Sequence, residues 1–315
     1  MEIVKLSYPF EALGTEGGKR ECHIAIGYFD GVHVGHQAVI GQAVESARRS
    51  GKRAAAMTFH PHPKEVLGRG ERYGTALTPL REKLRRFEAL GLDATYVVEF
   101  DRAFAAVSAE DFVANVLRPL GIKAVIVGFD FTFGSRGLGT PELLRQLGAP
   151  DIEVEIIAPQ ALDETKVSSS RIREALEQGD VRSATPLLGR PYRIEGTVVG
   201  GDRRGRTIGF PTANVEPDGN YMLPRLGVYA VRALVGGKSY EAVLNLGVKP
   251  TFHDDLPEPK LEAHLFDFSG DVYGERMSID FIAFLRPEQK FNGVEQLVAQ
   301  IRVDADRARD VLSKE

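Results

Sequence analysis

The pattern of apolar runs changes character once along the chain, and that change constrains the fold more than any single motif. Before it, β-type apolar runs (Cys22–Ile26, Arg53–Phe59, Ala94–Val98, Ala124–Val127 and Ile152–Ile157) alternate with helical patterns (Gln37–Ser50, Leu80–Leu90, Ala109–Leu117, Pro141–Leu147 and Ser169–Gln178). Near-continuous apolar strands alternating with helices call for a parallel sheet covered on both faces. After it, runs rich in β-branched and aromatic residues follow one another between Gly and Pro without helices: Tyr192–Val199, Gly227–Val235, Tyr240–Leu246, Lys260–Phe268 and Met277–Leu285. That pattern predicts a small antiparallel barrel. A last helix over Val294–Leu312 carries Val294, Leu297, Val298, Ile301, Ala305, Ala308 and Leu312 at helical spacing and is expected to pack on the barrel. The junction falls in Gly179–Pro191, so the expected domains are 1–186 and 187–315.

Composition excludes several classes. The net charge of −4 argues against a broad nucleic-acid surface. A lone cysteine, Cys22, allows neither an internal disulfide nor a thiolate metal cluster and suits a reducing compartment. No apolar run approaches the ~20 residues of a membrane span, and the N-terminus lacks the apolar core of a signal peptide. The expectation is a cytoplasmic protein that binds neither membrane nor nucleic acid.

Parallel sheets bind ligands beyond the carboxyl ends of their strands, so the residues after each first-half strand are the candidates. After the first comes Gly27-Tyr28-Phe29-Asp30-Gly31-Val32-His33-Val34-Gly35-His36, leading into a helix. A helix N-terminus offers free N–H groups and a positive dipole end, a seat for phosphate. Gly35 would let the phosphate approach, and His33 and His36 could donate to its oxygens. After the second strand, His60-Pro61-His62-Pro63 forms a loop stiffened by proline, either a simple turn or the wall of a pocket. After the fourth, Gly128-Phe129-Asp130-Phe131-Thr132-Phe133-Gly134 offers aromatics to stack on a planar ring, with at least one of them expected in the core. After the fifth, Ser168 or Ser169 can cap a helix, and with Ser170, Arg171 and Arg173 they also gather hydroxyls, a helix start and two arginines around one anion, which suits a leaving pyrophosphate.

In the second half, Gly200 to Asn214 holds glycines and arginines that either wrap a polyphosphate or form a solvated hairpin; it is no Walker loop. Thr212 and Asn214 offer oxygen ligands suited to Mg²⁺. In Leu261–Phe268, strand alternation puts Glu262 and His264 on one face, as a surface pair or with Glu262 as a general base in a cleft.

The His-x-Gly-His element resembles the signature of adenylyl-transferring nucleotidyltransferases, which class I aminoacyl-tRNA synthetases share. With Thr-Phe-x-Pro-His-Pro, Gly-x-Asp-Phe-x-Phe-Gly and Ser-Ser-Ser-x-Ile-Arg in that order, the first half resembles the adenylyltransferase module of the prokaryotic bifunctional riboflavin kinase/FAD synthetase family. Pro211-Thr212-Ala213-Asn214, Gly227–Ala230, Asn245–Phe252 and Arg286–Phe291 resemble its riboflavin kinase module, so the similarity runs from about Ile24 to Arg309. Tyr28 departs from the Asn or small residue often found there. The resemblance implies an α/β fold: an N-terminal Rossmann-like nucleotidyltransferase parallel sheet plus a C-terminal small antiparallel β-barrel with a terminal helix. It implies phosphorylation of riboflavin to FMN and adenylylation of FMN to FAD, with ATP the substrate of both reactions and Mg²⁺ a cofactor. In the first module, Gly27, Phe29, Asp30, Gly35, His36, Ser168, Ser169 and Arg171 would hold ATP, with His33 and His36 catalytic. His62, Pro63, Asp130, Phe131 and Phe133 would hold the flavin. In the second, Gly201, Gly205, Arg206, Gly209, Pro211, Thr212 and Asn214 would hold Mg²⁺-ATP through Thr212 and Asn214, and Glu262 would be the base. Two rivals remain at this point: an aminoacyl-tRNA synthetase, suggested by Lys166–Ser170, and a regulator whose barrel only senses flavin.

Overall fold

The computed structural model describes every residue except 11–20, 69–73, 163, 202–204, 206–207 and 249–258. By contacts the chain divides into two compact units, Met1–Ser169 and Ser170–Glu315.

The first unit is built on six parallel strands, β1 (Glu2–Leu6), β2 (Cys22–Ile26), β3 (Arg53–His60), β4 (Ala94–Glu99), β5 (Ile122–Gly128) and β6 (Glu153–Ile157), in the order β1-β4-β3-β2-β5-β6. Its helices are α1 (Val34–Arg49), α2 (Pro63–Val66), α3 (Leu80–Ala89), α4 (Arg102–Ala105), α5 (Ala109–Asp111) and α6 (Pro141–Gly148). The central strands are buried on both faces because their side chains alternate between two cores. Ile24, Ile26, Ala55, Met57, Val125 and Val127 face one. Ala25, Ala54, Ala56, Ala124 and Ile126 face the other, against Val39, Ile40, Ala43 and Val44 of α1. Alanines on that face let α1 approach the sheet closely. A two-stranded ribbon, β7 (Ala161–Leu162) with β8 (Thr165–Lys166), follows β6.

Two expectations change here, and one boundary is placed within the structure. The helix expected over Ala109–Leu117 is a short α5 that widens into a π-helical stretch, Phe112–Leu117, whose Phe112, Val113, Val116 and Leu117 are all buried. β1 is a strand the apolar pattern did not reveal; it lies at the sheet edge, where Glu2 and Ile3 are exposed. The expected junction at 186/187 falls inside a helix, α8 (Val181–Leu188), which follows α7 (Ser169–Gln178) and contains Pro186. Val181, Ala184, Leu187 and Leu188 of α8 are buried, and the helix packs on β9 and β14 of the barrel described next.

The second unit is a closed antiparallel barrel of β9 (Tyr192–Val199), β10 (Ala213–Pro217), β11 (Gly227–Val235), β12 (Lys238–Val248), β13 (Pro259–Leu265) and β14 (Arg276–Arg286), in the order β10-β13-β12-β11-β14-β9. Inside, Ile194, Tyr229, Val231, Leu244, Leu246, Leu261, Ala263, Ile279 and Phe281 are fully buried. The Tyr229 and Phe281 rings meet edge to face at 5.1 Å. β10 joins β9 to β13 and closes the barrel; its glycine- and arginine-rich approach hid it as a loop. The terminal helix α9 (Val294–Leu312) lays Ala305, Ala308 and Leu312 on an outer patch made by Val228, Ala230, Val243, Phe266, Ile282, Ala283 and Leu285.

Candidate active sites

In the first unit the strand order reverses between β2 and β5, the place where open parallel sheets leave a ligand crevice. The turn from β2 into α1 lies there. Phe29 (φ 57°), Gly31 (φ 85°) and Val32 (φ 42°) all take left-handed backbone. For Val32, a β-branched residue, this is a genuine outlier of the kind that clusters at functional sites. His33 caps α1, its Nδ1 accepting the N–H of His36 at 3.2 Å, and its carbonyl takes the N–H of Gln37 at 2.9 Å. The N–H groups of Val34 and Gly35 therefore start the helix without intrahelical acceptors. The His33 and His36 rings stack at 3.5 Å, 17° from parallel. Burial, then His33 and Lys83, hold His36 well below the usual imidazole range, so its ring is neutral. Its buried Nδ1 has no hydrogen-bond partner.

Pins hold this turn from several elements. Thr58 on β3 and Lys83 on α3 both donate to the Tyr28 carbonyl, at 2.9 and 2.7 Å. The buried Asp30 carboxylate accepts the N–H groups of Leu77 and Thr78 at 2.9 and 3.3 Å. Ser169 Oγ donates to the Asp30 carbonyl at 2.9 Å. Asp30 and Ser169 thus meet, but as scaffold for the turn. Ser168 is half-buried beside Ser169, while Arg171 lies on α7 in the second unit.

Several expected roles shift. Phe29 is 4% exposed and packs edge to face on Phe87 and His36, so its side chain belongs to the core; Gly27 leaves room for that ring. A Cβ on Gly35 would meet the His33 ring at 3.2 Å, so Gly35 makes room for the imidazole as well as for a ligand. His62 caps α2 through Nδ1, accepting the Lys64 N–H at 2.9 Å, and its ring lies 4.0 Å from that of Tyr28; Pro63 opens α2. Phe133 is 6% exposed and packs on Phe112. Half-buried Phe131 stacks on Phe133 at 5.7 Å, so of the three phenylalanines Phe131 and the exposed Phe129 keep ring surface open. Asp130 pairs with Lys166 at 2.6 Å, and the Lys166 ammonium lies 4.4 Å above the Phe129 ring. Tyr28 and Lys166, given no binding role from the sequence, and Lys83, not singled out there, stand beside these candidates. Lys83 shares the inward face of α3 with Phe87, a lysine at a core position, and that was the available signal.

In the second unit, one cavity of about 470 Å³ gathers the candidates. Asn214 on β10 pairs with Glu262 on β13, and Glu262 pairs in turn with Asn245 on β12. Cross-strand partners share a face, so three oxygen-bearing side chains stand in a row across three strands, on the cavity wall. Leu261, Ala263 and Leu265 turn into the barrel, as the alternation predicted. Thr212 and His264 line the same cavity, and His264 Nδ1 lies 2.7 Å from the Pro211 carbonyl. Phe210 N–H donates to the Gly205 carbonyl at 2.8 Å, and Gly209 has φ 85°. Gly201 backs onto the Asn214 amide, where a Cβ would come within 2.2 Å. Arg206, with 202–204 and 207, lies outside the described residues. Asn245, Arg286 and Glu288, noted in the sequence only as parts of matching motifs, and Leu297 and Ile301, expected only to pack α9 on the barrel, also line the cavity. Arg286 holds the buried Asp304 of α9 with Nε and Nη2 at 2.7–3.0 Å, fixing the helix to the end of β14.

A crevice at the sheet's switch point with stacked imidazoles, and a barrel cavity lined by a carboxylate between amides, suit an enzyme that transfers phosphoryl and nucleotidyl groups. Comparison with known proteins agrees. The FAD synthetase family model matches residues 16–171 and the riboflavin kinase model matches 188–312. A bifunctional riboflavin kinase/FMN adenylyltransferase of Bacillus subtilis is 43% identical over 98% of this chain and 97% of its own. The Listeria monocytogenes and Escherichia coli K12 proteins of the same description are 42% and 39% identical, covering 92% and 94% of both chains. A solved Streptococcus pneumoniae structure described as a macrolide-efflux protein superposes with a TM-score of 0.87 at 33% identity, covering 98% of this chain and 99% of its own. The chain belongs to the bifunctional riboflavin kinase/FMN adenylyltransferase family of flavin cofactor biosynthesis. Membership sets aside both the synthetase and the flavin-sensor readings. Among the described residues no helix is long and apolar enough to cross a membrane.

Proposed function

We propose that the family's two reactions run at the two sites just described, each with its own ATP. In the barrel, the ribityl 5′-hydroxyl of riboflavin attacks the γ-phosphorus of ATP, the bond to the β-phosphate oxygen breaks, and FMN and ADP leave. Glu262 takes the hydroxyl proton, while Asn214 and Asn245 beside it orient the reacting groups. The donor set fits Mg²⁺: Thr212 and Asn214 give hard oxygens on the cavity wall, leaving positions for phosphate and water. When bound there, Mg²⁺ neutralises charge on the transferring phosphate.

In the first unit, an FMN phosphate oxygen attacks the α-phosphorus of a second ATP, and the bond to pyrophosphate breaks. The free N–H groups at the start of α1 and the His33 and His36 rings receive the phosphates. His36 enters the reaction with its ring neutral, and the anion itself then favours its protonation. Half-buried Phe131, with Phe129 and His62, faces the flavin ring. The work is positioning and charge neutralisation, with no covalent intermediate. The modules operate in the cytoplasm on riboflavin, FMN and ATP, and need no nucleic acid or membrane.

The observation that carries this reading is the Asn214–Glu262–Asn245 row on the cavity wall. Its test is to incubate the protein with riboflavin, ATP and Mg²⁺ and separate the flavins. Wild type makes FMN and then FAD. Glu262→Ala makes neither from riboflavin, yet still converts supplied FMN to FAD. Kinase rates equal to wild type in that variant would remove Glu262 as the base.

A further inference from the structure

Lys83 is 2% exposed and lies on α3, far along the chain from the turn it touches. Its ammonium donates to the Tyr28 carbonyl at 2.7 Å and stands 3.9 Å above the centroid of the Tyr28 ring. That ring meets the His62 ring at 4.0 Å, and the same carbonyl takes the Thr58 hydroxyl. A buried cation is costly unless carbonyls, rings or carboxylates compensate it, and an apolar residue would fill the space more cheaply. The charge is therefore retained for something the packing does not need. Immediately after Tyr28 the chain enters its left-handed stretch, Phe29 to Val32, and then His33, Gly35 and His36. Strain of that kind persists only where neighbours over-determine the backbone.

We infer that Lys83 is a positioning residue for adenylyl transfer, its ammonium fixing the Tyr28 carbonyl and ring and through them the turn that presents His33, Gly35 and His36 to the nucleotide. The inference rests on the reading that this turn seats ATP. The groups facing the ammonium are the Asp30 carboxylate and Tyr28 from the turn, His36 from α1, and His62 through the Tyr28 ring. On α3 itself, Glu82 is occupied by Arg86. Burial lowers Lys83 to about 8, with Asp30 opposing the fall, so the pin loses its charge within the working range of an assay.

The test uses the full chain carrying Lys83→Met or Lys83→Arg, with His36→Ala alongside. FAD formation from FMN and ATP is measured below and above pH 8, and FMN formation is measured in the same preparations. Lys83→Met should raise the ATP KM of adenylylation roughly 10-fold or more and leave FMN formation unchanged. Lys83→Arg should recover most of that loss. It should also keep the ATP KM flat above pH 8, where that of wild type climbs, because guanidinium stays charged there. Wild-type adenylylation kinetics in Lys83→Met would overturn the inference. So would a Lys83→Arg variant, folded by its thermal transition, whose pH profile matches wild type; this arm decides the matter even if Lys83→Met fails to fold. FAD synthesis surviving His36→Ala would instead show that the ATP seat was misplaced, whereas its loss there together with a silent Lys83→Met would sink the role of Lys83 alone.

Discussion

At the start of α1, two imidazoles stacked at 3.5 Å cannot both be charged without strong repulsion, and burial keeps His36 neutral. Two consequences follow from that residue. The first concerns catalysis: His36→Ala should abolish FAD formation from FMN while FMN formation from riboflavin survives, as chromatography of the flavins would show. The second concerns stability. A histidine whose folded pKa is depressed binds fewer protons than its unfolded counterpart, so stability is full above the unfolded value of 6.5 and is lost as pH falls below it. His23, lowered mainly by burial, adds in the same direction. Thermal melts of the first unit's transition should drop on acidification below pH 6.5, and His36→Gln should flatten the dependence. The His-x-Gly-His motif was legible because a strand, a glycine and a helix stood in line. The pins were not: Lys83 and Asp30 act on a turn and on amides far away in sequence, and no local spacing encodes that.

Among the elements, the strands buried on both faces were legible to within two residues, because Ile24–Ile26 and Ala124–Val127 are unbroken apolar runs. β1 escaped because an edge strand needs only one covered side and tolerates Glu2 and Lys5. α8 escaped because Pro186 lies inside it, and proline reads as a breaker. α9 was placed correctly, but Leu297 and Ile301 in its apolar stripe line the cavity instead of the barrel packing surface. The helix is tied down by Arg286 and Asp304, whose side chains are 17% and 6% exposed. Removing one member of a buried pair strands the other, so Arg286→Ala should cost roughly 3–5 kcal/mol in the urea-unfolding free energy of the second unit. Because α9 walls the cavity, the same variant should also weaken riboflavin binding. A loss under roughly 1 kcal/mol, the worth of a surface pair, would mean that α9 is held by its apolar face alone.

For the whole molecule, the change of pattern across Gly179–Pro191 did announce two architectures, and contacts group α7 and α8 with the barrel. A fragment of residues 170–315 should therefore fold with a cooperative thermal transition and phosphorylate riboflavin. One starting at residue 187 loses Val181 and Ala184 from the surface of β9 and β14 and should melt lower. Equal melting of the two fragments would show that α8 contributes nothing to the barrel. The larger claim is that one polypeptide carries two independent seats for ATP, one at the stacked imidazoles and one at Thr212 and Asn214. Isothermal titration of the intact chain with a non-hydrolysable ATP analogue, Mg²⁺ and saturating flavin measures this directly. The account predicts two nucleotides bound per chain, falling to one in His36→Ala. A single nucleotide bound by the folded wild-type chain would contradict it.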